Sequence, residues 1–181
     1  MLSQLNSGEE RQRRKKRFLT ELYDFPNTIM PVGRLDEKSE GLLLMTTDGK
    51  LSDFINNSGI EKEYWSQLDG QITPDAILVL ESGIEIAIQG KKHTTKPCKV
   101  RPIKELPMVY EPDKKLRIGR HRPTSWISIT LQEGKFRQIR KMTAAVGFPT
   151  LRLIRVRIGP IHLDQLQVGE VCPINMDHLQ T

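Results

Sequence analysis

An alternation of apolar and polar residues from Thr124 to Gln132, TSWISITLQ, is the feature that most limits the folds open to this chain. Successive side chains of a β-strand point to opposite faces of its sheet, so residues two positions apart share a face. On a strand, this alternation collects apolar side chains on one face: Ile127, Ile129 and Leu131. The other face carries Trp126, Ser128 and Thr130. The pattern predicts a strand that buries one face in a core.

A second stretch, LRLIRVRIG at residues 151–159, also alternates, but its phase changes once. Leu151 and Leu153 share one face, and the apolar residues from Ile154 to Ile158 begin one position out of step. An extra residue in a strand, a β-bulge, produces such a slip and can redirect a side chain. We therefore expect a bulged strand here.

Helical spacing and capping residues predict helices between the strands. Leu51, Phe54 and Ile55 recur as they would on one helix face. Further along, Thr73–Pro74 combines an N-cap residue with a proline suited to the first helical position, and Gly83 closes that helix.

A third helix is expected from Lys135 to about Val146, ended by Gly147. Its expected buried stripe is Phe136, Ile139, Met142 and Val146. Two further strands are expected, a buried one at Leu42 to Thr46 and another in EKEYWSQLDG, residues 61–70. The proline-rich residues 89–123 predict hairpins and loops around short strands. Strands mixed with three helices, without strict alternation of strand and helix, favour the α+β class.

Basic residues are concentrated in three runs. The chain has 28 Lys and Arg against 22 Asp and Glu. Arg11 to Arg17 holds six basic residues in seven, Lys91 to Arg122 holds eleven against three acidic ones, and Gly134 to Leu163 holds seven and no acid. Any one run could be an ordinary solvated surface, but the three together favour a polyanion such as a nucleic acid.

Several classes of protein are disfavoured by composition. No apolar run approaches the roughly 20 residues that span a bilayer, and no signal-peptide pattern is present, so we expect no membrane association. The two cysteines, Cys98 and Cys172, lack metal-ligand spacing and suit free thiols in a reducing cytoplasm. The chain carries no phosphate-binding glycine loop, metal-ligand cluster or nucleophile elbow.

The remaining candidates for chemistry are one carboxylate and a few partners. Asp36 follows Gly33-Arg34-Leu35, and a carboxylate held against a guanidinium stays ionised and can act as a nucleophile or base. Arg137 and Arg140, three positions apart, could supply that guanidinium. Each has a plainer interpretation: Asp36 as a surface loop residue, the arginines as phosphate contacts or solvated groups, and Tyr64 as a core tyrosine. Spacing alone does not decide between them.

Three motifs nevertheless resemble those of one enzyme family, the RNA pseudouridine synthases. Gly33-Arg34-Leu35-Asp36, followed by Ser39-Glu40-Gly41-Leu42-Leu43, resembles the family signature G-R-L-D-x-x-[ST]-x-G-L-L, and Lys62-Glu63-Tyr64 resembles its K-x-Y element. The stretch from Glu133 to Glu170 resembles the C-terminal motif of the branch that modifies ribosomal RNA, closest to its large-subunit type E group. The resemblance covers about Met30 to Glu170.

This resemblance implies a role for each matching residue. Asp36 matches the catalytic aspartate, Tyr64 the tyrosine that stacks on the target base and takes part in proton transfer, and Arg140 the basic partner of the aspartate. Four further positions are expected to bind substrate: Arg34, Lys62, Arg137 and Leu153. Arg34 would help to hold the base flipped out of the RNA, and Leu153 would form an apolar wall.

The family also implies an α+β fold, with a mixed, mainly antiparallel sheet, flanking helices and a central cleft. The implied activity is isomerisation of a specific uridine to pseudouridine in large-subunit (23S-type) ribosomal RNA, which needs no cofactor and no metal. We expect a cytoplasmic monomer. The alternative is a catalytically inactive RNA-binding or ribosome-assembly protein that retains the fold.

The expected domain organisation departs from the family at the N-terminus. Family members usually begin the catalytic domain with a strand that precedes a segment similar to Met1-Leu2-Ser3-Gln4. We therefore expect residues 1–25 to be a basic segment that lacks this first strand, and residues 26–181 to be the catalytic domain, with no S4 domain.

Overall fold

The computed structural model describes residues 1–105 and 122–175, so residues 106–121 of the predicted hairpin region lie outside the described residues. The helices are α1 (Glu10–Lys15), α2 (Gly49–Asn57), α3 (Pro74–Ser82) and α4 (Gln138–Ala145), with a short 3-10 turn at Leu19–Glu21. The strands are β1 (Met30–Pro31), β2 (Glu40–Gly41), β3 (Met45–Thr46), β4 (Lys62–Asp69), β5 (Glu85–Ile88), β6 (Lys91–Thr94), β7 (Lys99–Ile103), β8 (Thr124–Leu131), β9 (Thr150–Ile158) and β10 (Ile161–His162). Within this part of the chain, no helix combines the length and apolar composition that a membrane crossing requires.

The main sheet has six strands. Its order is β10-β9-β4-β8-β7, antiparallel throughout, and the two-residue strand β2 pairs with β9 in parallel. Strand β8 is present as predicted, with Ile127 and Ile129 fully buried on one face, but Ser128 and Thr130 on the other face are also buried. Two smaller pairs, β1 with β3 and β5 with β6, lie outside this sheet. The mixture of sheet and helices is the predicted α+β class.

The strand predicted in residues 151–159 is bulged, as expected, but it has two bulges, at Leu151 and Val156, and not the single phase change predicted after Leu153. The pairing of β4 with β9 shifts register twice, once between Glu63 and Tyr64 and once between Gln67 and Leu68. Each shift leaves an extra residue in β9, so the strand bends and its apolar residues change face.

One face of the sheet supports the helices. A core cluster joins Ile127 and Ile129 of β8 to Leu80 of α3 and to Ile139 and Met142 of α4. A second cluster packs α2 and the ends of β1 and β3 beside the same sheet: Val32, Leu42, Leu44, Ile55 and Ile158. The two clusters define two parts of the molecule that meet along β9.

The first two predicted helices are confirmed at their caps. Asp48 accepts hydrogen bonds from the backbone of the first turn of α2, and Thr73 does the same for α3, whose first residue is Pro74. Phe54 is an exception to the predicted pattern, because its side chain is 49% exposed while Ile55 is buried. Helix α2 therefore buries a narrower face than the spacing of Leu51, Phe54 and Ile55 suggested.

The third helix begins later than predicted. Arg137 has a left-handed backbone with φ 53°, so α4 starts at Gln138 and not at Lys135. The Gln138 side chain accepts a hydrogen bond from the Lys135 backbone N–H and donates one to Glu133, which holds the preceding residues in a turn. Phe136 belongs to that turn and is 49% exposed, so its predicted place in the buried stripe was wrong.

The apolar run at Leu42 to Thr46 is buried, as predicted, but it is not one strand. The Leu42 N–H donates to the Arg155 carbonyl on β9, whereas the Leu44 carbonyl accepts from Val32 beside β1. The run therefore changes partner in its middle, which leaves only its flanks as the strands β2 and β3.

Candidate active site

Asp36 lies in the loop between β1 and β2. Gly33 begins this loop with φ 65°, a backbone conformation that glycine adopts without strain. The Asp36 carbonyl accepts a hydrogen bond from the Ser39 N–H, which closes a turn just before β2. The carboxylate is 20% exposed, so it is accessible to a substrate without being fully hydrated.

Arg140 of α4 holds this loop against β9. Its Nη2 donates to the Lys38 carbonyl at 2.8 Å and to Ser39 Oγ at 3.3 Å, while Nη1 donates to the Thr150 carbonyl at 3.3 Å. A single guanidinium thereby joins the Asp36 loop, helix α4 and strand β9, although Lys38 and Arg140 are 102 positions apart in the sequence.

The same guanidinium lies beside the Asp36 carboxylate. Arg140 Nε is 3.9 Å from Asp36 Oδ2, which is an ion-pair distance but too long for a hydrogen bond. That Nε is buried and finds no hydrogen-bond partner among the described residues. The carboxylate is thus held close to a positive charge while its oxygens remain available.

Two opposing effects act on the Arg140 side chain. Its burial and the neighbouring Arg137 charge lower the pKa of Arg140, while Asp36 and Glu40 act to raise it. The intrinsic pKa of a guanidinium is so high that the group nevertheless remains protonated in proteins. Arg140 therefore supplies a fixed positive charge that is only 11% exposed.

Tyr64 and Leu153 lie on the face of the sheet that α4 covers. Leu153 belongs to the core cluster that contains the α4 residues, and the half-buried Tyr64 packs against that cluster. Between them, Ser66 of β4 is paired in register with Leu153. Its hydroxyl is hydrogen bonded to Thr150 Oγ1, which is in turn bonded to Thr143 of α4. The strands thus present an aromatic ring and an apolar side chain on the side from which Arg140 approaches.

Charged residues behind the loop fix its position on β9, and the sequence reasoning did not assign them. Arg152 binds both Glu40 oxygens at 2.8 Å in a bidentate pair. Arg155 Nε donates to the Leu42 carbonyl at 2.8 Å. The only sequence signal was the acid-free run that contains both arginines, and it pointed to RNA and not to these internal contacts.

The remaining predicted binding residues have different environments. Arg34 and Arg137 are exposed, and neither forms a side-chain hydrogen bond or ion pair within residues 1–105 and 122–175. Lys62 differs, because its ammonium group donates to the Ile55 and Ile60 carbonyls at the end of α2. Burial and the nearby Arg155 charge lower the pKa of Lys62. Lys62 therefore joins α2 to β4, and its contact with substrate stays a prediction.

The assembled groups suit chemistry at a carboxylate. An ionised Asp36 can act as a nucleophile or a base, a permanent cation stabilises its charge, and Tyr64 offers a ring and a hydroxyl. No group of three or more possible metal-ligating side chains occurs among the residues that the structure describes.

Comparison with known proteins identifies the family. The family model of RNA pseudouridylate synthases matches residues 1–145 of the 181. The chain is 36% identical over 164 residues to the ribosomal large subunit pseudouridine synthase E of Xanthomonas axonopodis pv. citri, and the match covers 90% of this chain and 84% of that relative. The Vibrio parahaemolyticus protein of the same name is 40% identical over 144 residues, covering 78% of this chain and 58% of the relative.

Comparison of the fold with solved structures identifies the same family. A crystal structure of a pseudouridylate synthase matches with a TM-score of 0.71 at 26% identity, covering 90% of this chain and 64% of that one. This chain therefore spans less than two thirds of that protein and of the Vibrio relative, but most of the Xanthomonas relative. On its sequence and its fold, the chain belongs to the RNA pseudouridylate synthase family.

Proposed function

We propose that this protein isomerises a uridine of large-subunit ribosomal RNA to pseudouridine, with Asp36 as the essential carboxylate. The observation that carries the proposal is the Arg140–Asp36 pair, because Arg140 belongs to α4, the helix that packs against the cluster containing Tyr64 and Leu153. The names of its relatives support the choice of large-subunit ribosomal RNA.

The reaction rearranges bonds within one nucleotide. The bond from N1 of uracil to the ribose breaks, the base rotates, and carbon 5 of the ring forms the new bond to the ribose. The proton on carbon 5 leaves and N1 gains one, so atoms and electrons balance without an oxidant or a reductant. Asp36 either attacks the nucleotide or assists the cleavage of its glycosidic bond, and the Arg140 guanidinium places a positive charge 3.9 Å from its carboxylate.

The other residues handle the base once it has left the RNA stack. Unstacking costs a few kcal/mol, which stacking in the new site must offset. Tyr64 stacks on the uracil and takes part in the transfer of the carbon 5 proton, while Leu153 forms the apolar wall. Arg34 and Arg137, which are exposed and without partners in the described structure, guide the RNA backbone.

The decisive experiment measures the release of tritium from RNA labelled at carbon 5 of uridine. The wild-type protein is expected to release tritium, and Asp36→Asn, which keeps the size of the side chain but removes its charge, is expected to release none. Equal release from both proteins would reject Asp36 as the catalyst. An absence of release from the wild-type protein would leave the alternative, an inactive RNA-binding protein.

A second pair of variants separates the two possible roles of Arg140. Arg140→Ala is expected to lose turnover by more than 100-fold, the order of effect known for a lost electrostatic contact in an active site, with a smaller loss of RNA binding. Arg140→Lys keeps the charge but cannot bridge the loop and β9 in the same way, so an intermediate rate is expected. Loss of RNA affinity with normal turnover of bound RNA would make Arg140 a phosphate contact instead.

Three accompanying expectations rest on the same proposal. The protein is expected to act in the cytoplasm, as a monomer, without a metal or an organic cofactor. Sedimentation of the protein with and without RNA tests the monomer, and activity after dialysis against a chelator tests the independence from metal.

A further inference from the structure

Residues 1–21, which we call the N-terminal unit, are anchored and do not form a free tail. The Leu2 N–H donates to the Arg17 carbonyl, and the Leu19 N–H donates to the Gln4 carbonyl, so the two ends of the unit are held side by side. Between these ends stands helix α1 with the basic run. Phe18 is buried, which adds an apolar anchor.

This unit binds the catalytic loop on both sides of Asp36. Ser3 Oγ accepts a hydrogen bond from the Leu35 N–H at 2.9 Å and donates one to the Leu35 carbonyl at 3.1 Å. On the other side, Lys16 Nζ lies 2.6 Å and 2.8 Å from the two carboxylate oxygens of Glu37. Both neighbours of the catalytic aspartate are therefore tied to the N-terminal unit, and helix α1 is fixed next to the candidate active site.

The six cations of Arg11 to Arg17 divide into two groups. Three have acidic partners: Arg14 with Glu10, Lys16 with Glu37 and Arg17 with Glu21. The other three are exposed, and their side chains form no ion pair or hydrogen bond within the described part of the chain: Arg11, Arg13 and Lys15. The ion pairs of the first group stabilise the N-terminal unit and its contact with the loop, and the second group is available to contact a ligand.

We propose that Arg11, Arg13 and Lys15 bind the phosphate backbone of the RNA next to the flipped uridine. The inference rests on the proposed function, because only then must a polyanion pass beside Asp36. Arg11 and Lys15, four positions apart on α1, share one side of the helix, and Arg13 lies on the other side. Arg and Lys are the side chains that commonly neutralise the phosphates of a nucleic-acid strand. A lipid surface fits less well, because α1, ERQRRK, has no apolar face to insert.

These contacts affect affinity more than chemistry. Each phosphate that is neutralised releases a counterion, so the logarithm of the binding constant falls with the logarithm of salt concentration by roughly 0.7 to 0.9 for each contact. Losing three contacts would make this slope shallower by about 2 to 3, and at ~0.1 M salt it would weaken binding by up to about 500-fold. None of the three side chains contacts Asp36 or Arg140, so kcat is expected to change less than KM.

The test uses the full chain with a triple substitution, Arg11→Gln, Arg13→Gln and Lys15→Gln. Binding of a large-subunit ribosomal RNA fragment is titrated between ~0.05 and ~0.3 M salt in an Asp36→Asn background, where turnover plays no part. KM and kcat are then compared in the active protein. We expect the shallower slope and the higher KM; an unchanged slope would overturn the proposal.

Two control variants are needed to interpret the change in salt dependence. The charge-conserving variant, Arg11→Lys, Arg13→Lys and Lys15→Arg, is expected to keep the wild-type slope. A second control removes three exposed lysines of another basic run, Lys91, Lys96 and Lys104, and equal losses from both triple variants would reject a surface specific to α1. Since binding is measured without catalysis, failure of the synthase assignment would not be confused with failure of this surface.

Discussion

Gly41 is predicted to be the most sensitive backbone position near the catalytic loop. It lies in β2 with φ 98°, and a Cβ atom placed on it would stand 2.3 Å from the carbonyl oxygen and 2.8 Å from the nitrogen of Arg155. Both are backbone atoms of β9, so no side-chain movement can relieve the contact. Gly41→Ala must push β2 away from β9.

The cost can be estimated from two losses. A non-glycine residue with positive φ costs about 1–2 kcal/mol, and the Leu42 N–H bond to the Arg155 carbonyl, about 1 kcal/mol, cannot survive the displacement. We expect the free energy of unfolding to fall by about 2–3 kcal/mol, which urea denaturation would show as a midpoint lowered by about 1 M or more. Because β2 follows directly after the Asp36 loop, kcat of the folded protein is also expected to fall, by roughly 100-fold for a displacement of about 1 Å.

Gly49 provides the matched control. It is the first residue of α2, and no atom lies within 4 Å of a Cβ built on it. Gly49→Ala is expected to leave stability unchanged or to raise it by up to about 1 kcal/mol, since alanine favours helices. If the Gly41 and Gly49 variants unfolded within about 0.5 kcal/mol of each other and were equally active, the close approach of β2 and β9 would not govern this site.

Three other predictions concern the candidate site and the core. Ser3→Ala, which loses both hydrogen bonds to the loop that carries the aspartate, is expected to lower kcat in the tritium assay by about tenfold, and Ser3→Thr should restore part of it. Burial, together with the acidic residues 81 and 133, raises the pKa of the Cys98 thiol to about 11, so at pH 8.5 iodoacetamide is expected to label the exposed Cys172 and leave Cys98 largely unmodified. Phe136→Ser is expected to change the unfolding free energy by no more than about 0.5 kcal/mol, whereas Met142→Ala, at a fully buried site, should cost about 2–5 kcal/mol in urea denaturation.

The thiol prediction also has a consequence for stability. The pKa of Cys98 is higher in the folded chain than the ordinary thiol value of 9.0, so the folded state holds this proton more tightly than the unfolded state does. Its contribution to stability is complete below about pH 9 and is lost as the pH rises towards about 11. The decline should be smaller in Cys98→Ala than in the wild type, and rapid labelling of Cys98 at pH 8.5 in the folded protein would contradict the reasoning.

The sequence patterns correctly predicted those helices and strands whose structure depends on residues close together in the chain. The strand β8, the spacing in α2, the cap of α3 and the bulged β9 follow from interactions within one segment, and each is present in the structure. The left-handed Arg137 was not predictable in that way, because a hydrogen bond between the side chains of Gln138 and Glu133, five positions apart, decides where the helix starts. Periodicity counts positions on an ideal helix and has no information about such a turn.

In the candidate site too, some features could be predicted from the sequence and others could not. Asp36, Tyr64 and Arg140 were assigned by resemblance to a family, since nothing in their spacing says that a loop, a strand and a helix meet. The structure adds contacts that the resemblance did not supply, such as the bidentate Arg152–Glu40 pair. It also places Lys62 against two backbone carbonyls, where a sequence motif had suggested only a binding residue.

The contacts that hold the Asp36 loop have a consequence for the time at which activity can arise. Those from Arg140, Arg152 and Arg155 to residues 38–42 bridge between 101 and 113 positions of sequence. At a synthesis rate of roughly 5–20 residues per second, the loop must wait about 5–20 s on the ribosome before these arginines are made. Contacts between residues so far apart in sequence also form slowly. Closing a long loop costs conformational entropy before the stabilising contacts have formed. The nascent chain is therefore expected to be inactive until β9 has been synthesised, so that the protein gains its catalytic geometry among the last steps of folding.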